Sequence, residues 1–349
     1  MIVALDAMGG DLAPTETVAG ALLAKRDFGI DVALVGAPAA IRQELAKHGE
    51  TPAGIEIVEA TEVVEMDDSP AQAVRQKKQA SINVAMDLIK DGSADALLSA
   101  GNTGAVMAAA LLKLGRVRGV ERPAIGAMAP FTDKGILILD IGANVDCKPS
   151  WLVQFGQMGS VYMEKVFGIV QPRVGLLNIG EEETKGNELS QEVYSRLQET
   201  SLNFVGNVEP DRVPQGVVDV LVTDGFTGNV AVKVTEGVAD FIFSQLRKTL
   251  ASRLHYKLAA AVLKPALTQM RSKMDYGEYG GAPLLGVDGA VIVAHGRADA
   301  QAIKSGLLRA REVASSGMLD ALRGALEPSA RDGAKGAAAA TRSRDETRA

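Results

Sequence analysis

Short apolar runs alternate with longer amphipathic stretches along most of the chain. The runs are apolar at nearly every position, which is typical of parallel strands buried on both faces. The predicted strands are Ile2–Asp6, Val32–Val35, Ile55–Val58, Ala96–Ser99, Ala124–Met128, Ile136–Ile141, Val174–Ile179, Val218–Thr223 and Ala290–Ala294.

The stretches between these runs have apolar residues at helical spacing. The predicted helices are Thr15–Phe28, Pro38–Lys47, Ala71–Lys90, Thr103–Leu114, Leu152–Phe167, Glu188–Glu199 and Ala298–Ala321. Regular alternation of strands and helices predicts an α/β fold, with a mostly parallel sheet and helices on both faces. In such a sheet, the loops that follow the strands are expected to gather along one carboxyl edge.

One segment breaks this alternation. Between Phe241 and Met274 there is no Asp or Glu but there are seven cations, and apolar residues recur near helical spacing. We predict a long helix or helical hairpin, about residues 238–275, projecting from the sheet domain, with Pro265 kinking it or starting its second half. It would be part of a dimer interface with a solvated basic face, or a surface for anionic lipid or an acidic carrier protein. The candidate contact residues are Leu254, Lys257, Leu258 and Val262.

The chain as a whole divides into two parts. Residues 1–327 are predicted to form a single α/β domain that carries the helical projection. Residues 328–349 are rich in Ala, Gly, Ser, Arg and Asp and lack aromatic and β-branched apolar residues. Such a composition predicts a disordered tail.

Charge and composition exclude several classes of protein. A net charge of −6 argues against a general nucleic-acid-binding protein. A single cysteine, Cys147, allows no intramolecular disulfide, and the three histidines lie far apart in sequence, which argues against structural zinc. The N-terminal MIVALDAMGGD has no basic n-region and reads as a strand rather than a signal peptide. The longest uncharged run, Ala96–Leu112, contains Gly101, Asn102 and Gly104, so it favours strand–turn–helix over a membrane helix.

Glycine accompanied by Asn, Asp, Thr or His follows six of the predicted strands. A helix N-terminus offers free N–H groups and partial positive charge, and glycine lets the backbone approach a ligand closely. Each glycine taken alone could simply make a turn. Six such loops together favour an anion-accepting cleft. They are Asp6–Asp11, Ser99–Gly104, Asp140–Asn144, Asn178–Gly186, Thr223–Asn229 and His295–Gly296.

The missing motifs narrow the choice of anion. No G-x-G-x-x-G occurs near a strand end, and no G-x-x-x-x-G-K-[ST] occurs, which argues against dinucleotide and P-loop nucleotide sites. A small anion such as inorganic phosphate fits the loops better.

Several polar residues in these loops are candidates for chemistry. Lys185 is a solvated charge or a cation aimed into the cleft. Asn229 is a helix N-cap or a donor to a carbonyl oxygen. We interpret His295 as a loop histidine rather than a base, and Cys147 as a small buried residue rather than a nucleophile. Four aspartates could bind Mg²⁺ or cap helices: Asp6, Asp11, Asp140 and Asp224.

The loop motifs carry a resemblance to a known family. The matching segments are DAMGGD at Asp6–Asp11, SAGNTGA at Ser99–Ala105, DIGANVDCKP at Asp140–Pro149, NIGEEETKG at Asn178–Gly186, TDGFTGNV at Thr223–Val230 and GGAPLLG at Gly280–Gly286. From Met1 to about Leu322, the sequence resembles the phosphate acyltransferases of bacterial phospholipid synthesis. These enzymes convert acyl-[acyl-carrier protein] and inorganic phosphate into acyl phosphate.

The resemblance implies a cytoplasmic homodimer with a three-layer α/β/α, Rossmann-like scaffold of the isocitrate/isopropylmalate dehydrogenase type. It also implies no nucleotide or metal cofactor, a helical projection that touches the inner face of the membrane, and delivery of acyl phosphate to a membrane glycerol-3-phosphate acyltransferase. Lys185 and Asn229 fall on the positions expected to act in catalysis.

Our hypothesis for the remaining site residues follows from the loops. Phosphate would bind at Gly9, Gly10, Asn102, Thr103, Gly104 and Asn144, with Asp6, Asp224 and His295 as additional candidates. Phosphate is already a nucleophile near neutral pH, and a thiol leaves readily as thiolate, so the protein mainly has to position the reactants and stabilise an oxyanion. Two alternatives stay open: a phosphate acetyltransferase-like enzyme that uses acyl-CoA, and a non-catalytic membrane-associated scaffold.

Overall fold

The computed structural model describes residues 1–49, 51–273 and 280–326. Their strands form one eleven-stranded sheet. The strands are β1 (Ile2–Asp6), β2 (Asp31–Gly36), β3 (Ile55–Glu59), β4 (Ala96–Ser99), β5 (Ala124–Ala129), β6 (Ile136–Leu139), β7 (Arg173–Leu177), β8 (Asn203–Val208), β9 (Val220–Val222), β10 (Ala282–Leu285) and β11 (Ala290–Val293). The helices are α1 (Thr15–Phe28), α2 (Pro38–Ala46), α3 (Pro70–Gln76), α4 (Ser81–Lys90), α5 (Thr103–Lys113), α6 (Pro149–Phe167), α7 (Glu188–Gln198), α8 (Gly225–Ala251), α9 (Leu254–Lys273), α10 (Ala300–Ser315) and α11 (Met318–Leu326).

The sheet consists of two parallel blocks that run in opposite directions. Its strand order is β3-β2-β1-β4-β11-β10-β5-β6-β9-β7-β8. Strands β1, β2, β3, β4 and β11 are parallel to one another, and so are β6, β7, β8 and β9. Between the blocks, β10 is antiparallel to both β11 and β5, and β5 is antiparallel to β6. The predicted α/β class with a mostly parallel sheet is therefore confirmed.

The sequence pattern missed β8 and β10 and joined helices that are separate. In β8, burial alternates along an edge strand, so the run is not apolar throughout. The predicted helix Ala71–Lys90 is two helices, because the Asn83 amide donates to the carbonyl oxygens of Val74 (2.9 Å) and Lys77 (2.8 Å) at the end of α3. The predicted helix Ala298–Ala321 is broken at Gly317, whose φ of 72° lies in the left-handed region.

Apolar side chains cover both faces of the sheet. One face packs against α1, α2, α6, α7, α10 and α11, whose buried residues join the largest core cluster. The other face has two smaller clusters, one under α3, α4 and α5 and one that includes Val232 of α8. The candidate site borders this second face.

Helices α8 and α9 occupy the segment for which a helical projection is predicted. Beyond Val232, no residue of α8 is fully buried, and apolar side chains including Val238 and Phe241 are exposed. Pro265 lies inside α9, so the break between the two helices falls earlier, at residues 252–253. Residues 274 and 275 of the predicted projection and the predicted tail, 328–349, lie outside the described residues. No helix in the described part of the chain is long and apolar enough to cross a membrane.

Candidate active site

The glycine-bearing loops fall into two groups rather than along one carboxyl edge. The α5 group consists of the loops that follow β1, β4 and β11, and the α8 group consists of those that follow β6, β7 and β9. Because the two blocks of strands run in opposite directions, these groups leave the sheet at opposite strand ends. The expectation of one common edge is therefore wrong, since it assumed that all strands of the sheet share one direction.

The loop after β6 nevertheless links the α8 group to the face of the sheet that α5 covers. Its Ile141 and Ala143 pack against the cluster under α5, and Ile141 also contacts the cluster near α8. The face between α5 and α8 is thus bordered by both groups.

The α5 group centres on the N-terminus of α5. Asn102 caps this helix, because its Oδ1 accepts the N–H of Ala105 (3.1 Å) while its Nδ2 donates to the Met66 carbonyl oxygen (2.9 Å). Thr103 is exposed in the first turn. A Cβ at Gly104 would lie 2.8 Å from Pro70, which explains the glycine by the packing of α3 on α5. The exposed N-terminal turn can receive an anion.

In the α8 group, one buried carboxylate organises the loop after β6. Oδ1 of Asp140 accepts the N–H groups of Ile125, Gly142 and Ala143 at 3.1–3.3 Å. Its Oδ2 accepts the backbone N–H (2.7 Å) and the side-chain amide (3.0 Å) of Asn144. Burial raises the pKa of the Asp140 carboxyl, and the N–H donors act in the opposite direction. Sequence analysis missed that Asp140 organises this loop. An Asp at the end of an apolar strand, directly before a loop, was a usable signal for such a role.

Asn144 is committed to the same loop. Its Nδ2 donates to the Pro123 carbonyl oxygen (2.8 Å) as well as to Asp140, so both N–H donors of its side-chain amide are occupied. The residue is buried. The geometry gives Asn144 a positioning role in this group rather than a free amide for phosphate.

The N-terminus of α8 is fitted tightly onto this loop. A Cβ at Gly225 would lie 2.5 Å from the Asn144 carbonyl oxygen, and one at Gly228 would overlap the carbonyl oxygen of Asp140. Asp224 is the N-cap, because its side chain accepts from the N–H (2.9 Å) and hydroxyl (2.7 Å) of Thr227.

Asn229 therefore does not cap the helix, and the capping interpretation of this residue is wrong. It lies in the first turns of α8 and is exposed. Its amide faces Gly142: a Cβ built on Gly142 would lie 3.8 Å from Asn229 Cγ and 3.9 Å from Asn229 Nδ2. An exposed amide at a helix N-terminus is suited to donate to a substrate oxygen.

Lys185 lies in the loop after β7, at the same strand ends as Asp140. Its aliphatic stem folds over Gly180, where a Cβ would lie 2.7 Å from Lys185 Cγ, and the residue is exposed. Asn178 holds the loop by donating to the Lys185 carbonyl oxygen (3.1 Å). Two of the three neighbouring carboxylates have other partners: Glu181 pairs with Arg212 (3.6 Å), and Glu183 accepts from the Tyr194 hydroxyl (3.2 Å). Sequence analysis missed the role of Asn178 in holding this loop. Its position as a polar residue at the end of an apolar strand was a usable signal.

The other candidates are divided between the two groups of loops. His295 is exposed in the loop after β11, where its Nδ1 accepts the Arg297 N–H (3.2 Å). Asp6 belongs to the α5 group and is buried, whereas Asp224 and Asp140 belong to the α8 group. Within the described ranges, no cluster of three or more His, Cys, Asp or Glu side chains could hold a metal ion.

Cys147 is not activated as a nucleophile. Its Sγ donates to the Asn144 carbonyl oxygen (3.4 Å), and burial raises the pKa of the thiol to about 12. At pH 8 the thiol therefore stays protonated. We expect Cys147→Ser to retain the activity of the wild-type protein within about twofold, because serine keeps the hydrogen bond. We also expect iodoacetamide to alkylate the native protein at pH 8 far more slowly than it alkylates free cysteine. A loss of activity above tenfold, or rapid alkylation, would contradict this assignment.

The fold is that of phosphotransacylases and related α/β enzymes. A phosphotransacetylase from Streptococcus pyogenes superposes with a TM-score of 0.62 at 16% identity, covering 90% of this chain and 94% of that protein. A 4-hydroxythreonine-4-phosphate dehydrogenase from Klebsiella pneumoniae superposes with a TM-score of 0.53 at 14% identity, covering 90% and 99%. At these identities the likeness shows a shared scaffold.

Sequence comparison identifies the family. A model of the family described as "Fatty acid synthesis protein" matches residues 1–320. The phosphate acyltransferase of Desulfitobacterium hafniense (strain Y51) is 52% identical over 324 residues, 93% of this chain and 96% of that protein. The phosphate acyltransferase of Brevibacillus brevis is 54% identical over 312 residues, 89% and 92% of the two chains. The chain therefore belongs to the fatty acid synthesis protein family and is an acyltransferase, which confirms the resemblance in the loop motifs.

Proposed function

We propose that this enzyme transfers a fatty acyl group from acyl-[acyl-carrier protein] to inorganic phosphate and so makes acyl phosphate for phosphatidic acid and phospholipid synthesis. The names of its close relatives support phosphate as the acceptor. The observation that carries the proposal is the exposed Asn229 amide, which faces Gly142 near the N-terminus of α8, on the same loop edge as Lys185.

In this proposal, the phosphate binds where the backbone offers donors. The N-terminal turn of α5, with Thr103 and Gly104, supplies N–H groups and a hydroxyl, and the loop of Gly9 and Gly10 lies beside it. Asn102 contributes mainly through its cap, which keeps the turn in place. A preorganised helix N-terminus stabilises a phosphate without a nucleotide or a metal.

The chemical step follows from this arrangement. A phosphate oxygen attacks the thioester carbonyl carbon and forms a tetrahedral oxyanion. Collapse of this oxyanion breaks the C–S bond and releases the carrier thiolate. Asn229 and Lys185 stabilise the charge that develops, because a donor aimed at an oxyanion is most effective when it is fixed beforehand. Asp224, the N-cap of α8, fixes the turn that carries Asn229.

The donor is tested directly. Purified enzyme is incubated with phosphate and a palmitoyl thioester of acyl-carrier protein, of coenzyme A, or of pantetheine, and acyl phosphate is trapped with hydroxylamine. We expect the highest kcat/KM with the carrier protein. Preference for acyl-CoA would favour an enzyme of the phosphate acetyltransferase type. No acyl hydroxamate with any donor would favour a non-catalytic scaffold.

We also propose that α8 and α9 serve assembly and peripheral membrane binding. Exposed apolar residues recur along α8 near helical spacing, which a second copy of the chain would cover in a homodimer. They are Phe226, Val230, Val234, Val238, Phe241 and Ile242. On α9, exposed apolar side chains stand among cations, which suits the anionic inner face of the cell membrane. Release there would deliver acyl phosphate to a membrane glycerol-3-phosphate acyltransferase.

The membrane contact makes a specific prediction. Leu258 and Val262 are 64% and 80% exposed and lie one helical turn apart on α9, near Lys257. We expect Leu258→Glu with Val262→Glu to reduce co-sedimentation with phosphatidylglycerol vesicles by about tenfold, because two apolar contacts are lost and negative charge is added. Val170→Glu is the matched control, since Val170 is 86% exposed in the loop before β7. Equal sedimentation of both variants would refute the contact.

A further inference from the structure

A buried carboxyl group lies beneath the α5 group of loops. Asp6 ends β1 and is 3% exposed, and Ser99, which is fully buried, ends the neighbouring strand β4 in register with it. The Ser99 hydroxyl donates to Asp6 Oδ2 (2.7 Å), and Ser99 Oγ accepts the N–H of Gly101 (3.1 Å). A chain of two hydrogen bonds thus leads from Asp6 to the residue that precedes the cap of α5.

The same carboxyl group determines how closely the loops approach one another. A Cβ at Gly9 would lie 2.6 Å from Asp6 Oδ2 and 2.8 Å from the Gly101 nitrogen. The loop after β11 joins them, because the Asp11 N–H donates to the Gly296 carbonyl oxygen (2.7 Å). Three loops from three neighbouring strands therefore meet above one side chain.

The carboxyl group is energetically costly where it lies. Its Oδ1 is buried and has no hydrogen-bond partner among the residues that the structure describes. Burial raises the pKa of Asp6, while the hydroxyls of Ser81 and Ser99 and the N–H groups of Met8 and Gly9 act in the opposite direction. A turn alone does not need a buried acid, and a buried acceptor without a hydrogen bond destabilises the folded state. Such a cost is typical of groups that serve a site.

We propose that Asp6, acting through Ser99, is a positioning residue that holds Gly101 and the N-terminal turn of α5 in the geometry that binds phosphate. This inference rests on the proposed function and deepens it, because it names the support of the phosphate site. Asp6 lies under the loops and does not touch the substrate. Its contribution is preorganisation, since N–H donors bind an anion best when they are aligned before it arrives.

The test compares four variants by steady-state kinetics. We expect Ser99→Ala to raise KM for phosphate about tenfold while KM for the acyl donor stays within twofold, because a hydrogen bond to the loop is lost. Asp6→Ala should have the same effect, and the double variant should add little to it, because both residues act in one chain. Asp6→Asn should restore KM for phosphate to within threefold, since its amide oxygen still accepts from Ser99.

A matched control separates positioning from general destabilisation. Asp219 forms two hydrogen bonds with the Arg173 guanidinium at the start of β7, at the opposite strand end from the Lys185 loop. Asp219→Ala should lower the melting temperature without raising KM for phosphate. If Ser99→Ala leaves this KM within twofold of wild type, or raises the KM values for phosphate and for the acyl donor alike, the inference fails. If Asp6→Ala does not fold, Ser99→Ala and Asp6→Asn decide the question.

Direct titration distinguishes this inference from the proposed function. Inorganic phosphate is titrated into wild-type protein and Ser99→Ala by calorimetry. If wild type makes no acyl phosphate but binds phosphate about tenfold more tightly than Ser99→Ala, the proposed function fails and the positioning role stands. Equal affinity of the two proteins overturns the positioning role, and so does failure of wild type to bind phosphate.

Discussion

Replacement of Lys185 by alanine is expected to lower acyl phosphate formation at least about a hundredfold, mainly in kcat, because one fixed donor to a developing oxyanion typically contributes this much. The side chain is exposed and its stem rests on Gly180, so its removal should change the free energy of unfolding by less than about 0.5 kcal/mol. The measurement is hydroxylamine trapping of acyl phosphate at saturating phosphate and acyl-carrier-protein donor, with thermal unfolding recorded in parallel.

Two further variants define what Lys185 contributes. Lys185→Arg keeps the charge but changes its shape, so we expect partial activity between wild type and Lys185→Ala. Lys165→Ala is the matched control, because Lys165 is an exposed lysine on α6 that pairs with its neighbour Glu164 (3.0 Å). If Lys185→Ala is as active as Lys165→Ala, Lys185 has no part in the chemical step.

The sequence predicted the elements of this fold better than their arrangement. Runs such as Leu97–Leu98 in β4 are apolar throughout, so their burial was readable directly. The reversal of direction between β4 and β6 comes from the hairpin of β5 and β6, because β10 is antiparallel to both of its neighbours and its two reversals cancel. The short connection between the predicted strands Ala124–Met128 and Ile136–Ile141 was a usable signal for this hairpin, since parallel strands need a crossover of about a dozen residues or more.

The site shows a similar division. Lys185 and Asn229 were identified from sequence as candidates, and both are exposed on the α8 group. The roles of the amides of Asn102 and Asn144 depended on partners distant in the chain, the carbonyl oxygens of Met66 and Pro123. Local sequence cannot specify such distant partners. An asparagine amide that is already hydrogen-bonded therefore could not be told apart in the sequence from one that is free to bind phosphate.

The largest effect on stability is expected at Asp140. Asp140→Ala removes the acceptor of five hydrogen bonds and leaves buried N–H groups at Ile125 and Asn144 without a partner. Each unsatisfied buried donor costs on the order of 1–3 kcal/mol, so we expect the free energy of unfolding to fall by about 4 kcal/mol. Urea unfolding followed by circular dichroism measures this change. Asp146→Ala is the control, because Asp146 is exposed in the same segment and should change stability by less than about 0.5 kcal/mol.

Asp140→Ala should also impair catalysis in the molecules that remain folded. Asp140 organises the loop on which the N-terminus of α8 packs. In this contact, Gly225 and Gly228 lie against the carbonyl oxygens of Asn144 and Asp140. If the loop relaxes, Asn229 moves with the helix, and a displacement of about 1 Å can cost about a hundredfold in rate. Activity measured well below the melting temperature separates this effect from unfolding. A variant that is destabilised yet fully active well below its melting temperature would show that the loop after β6 can be displaced without loss of activity. Asn229 would then not need a fixed position.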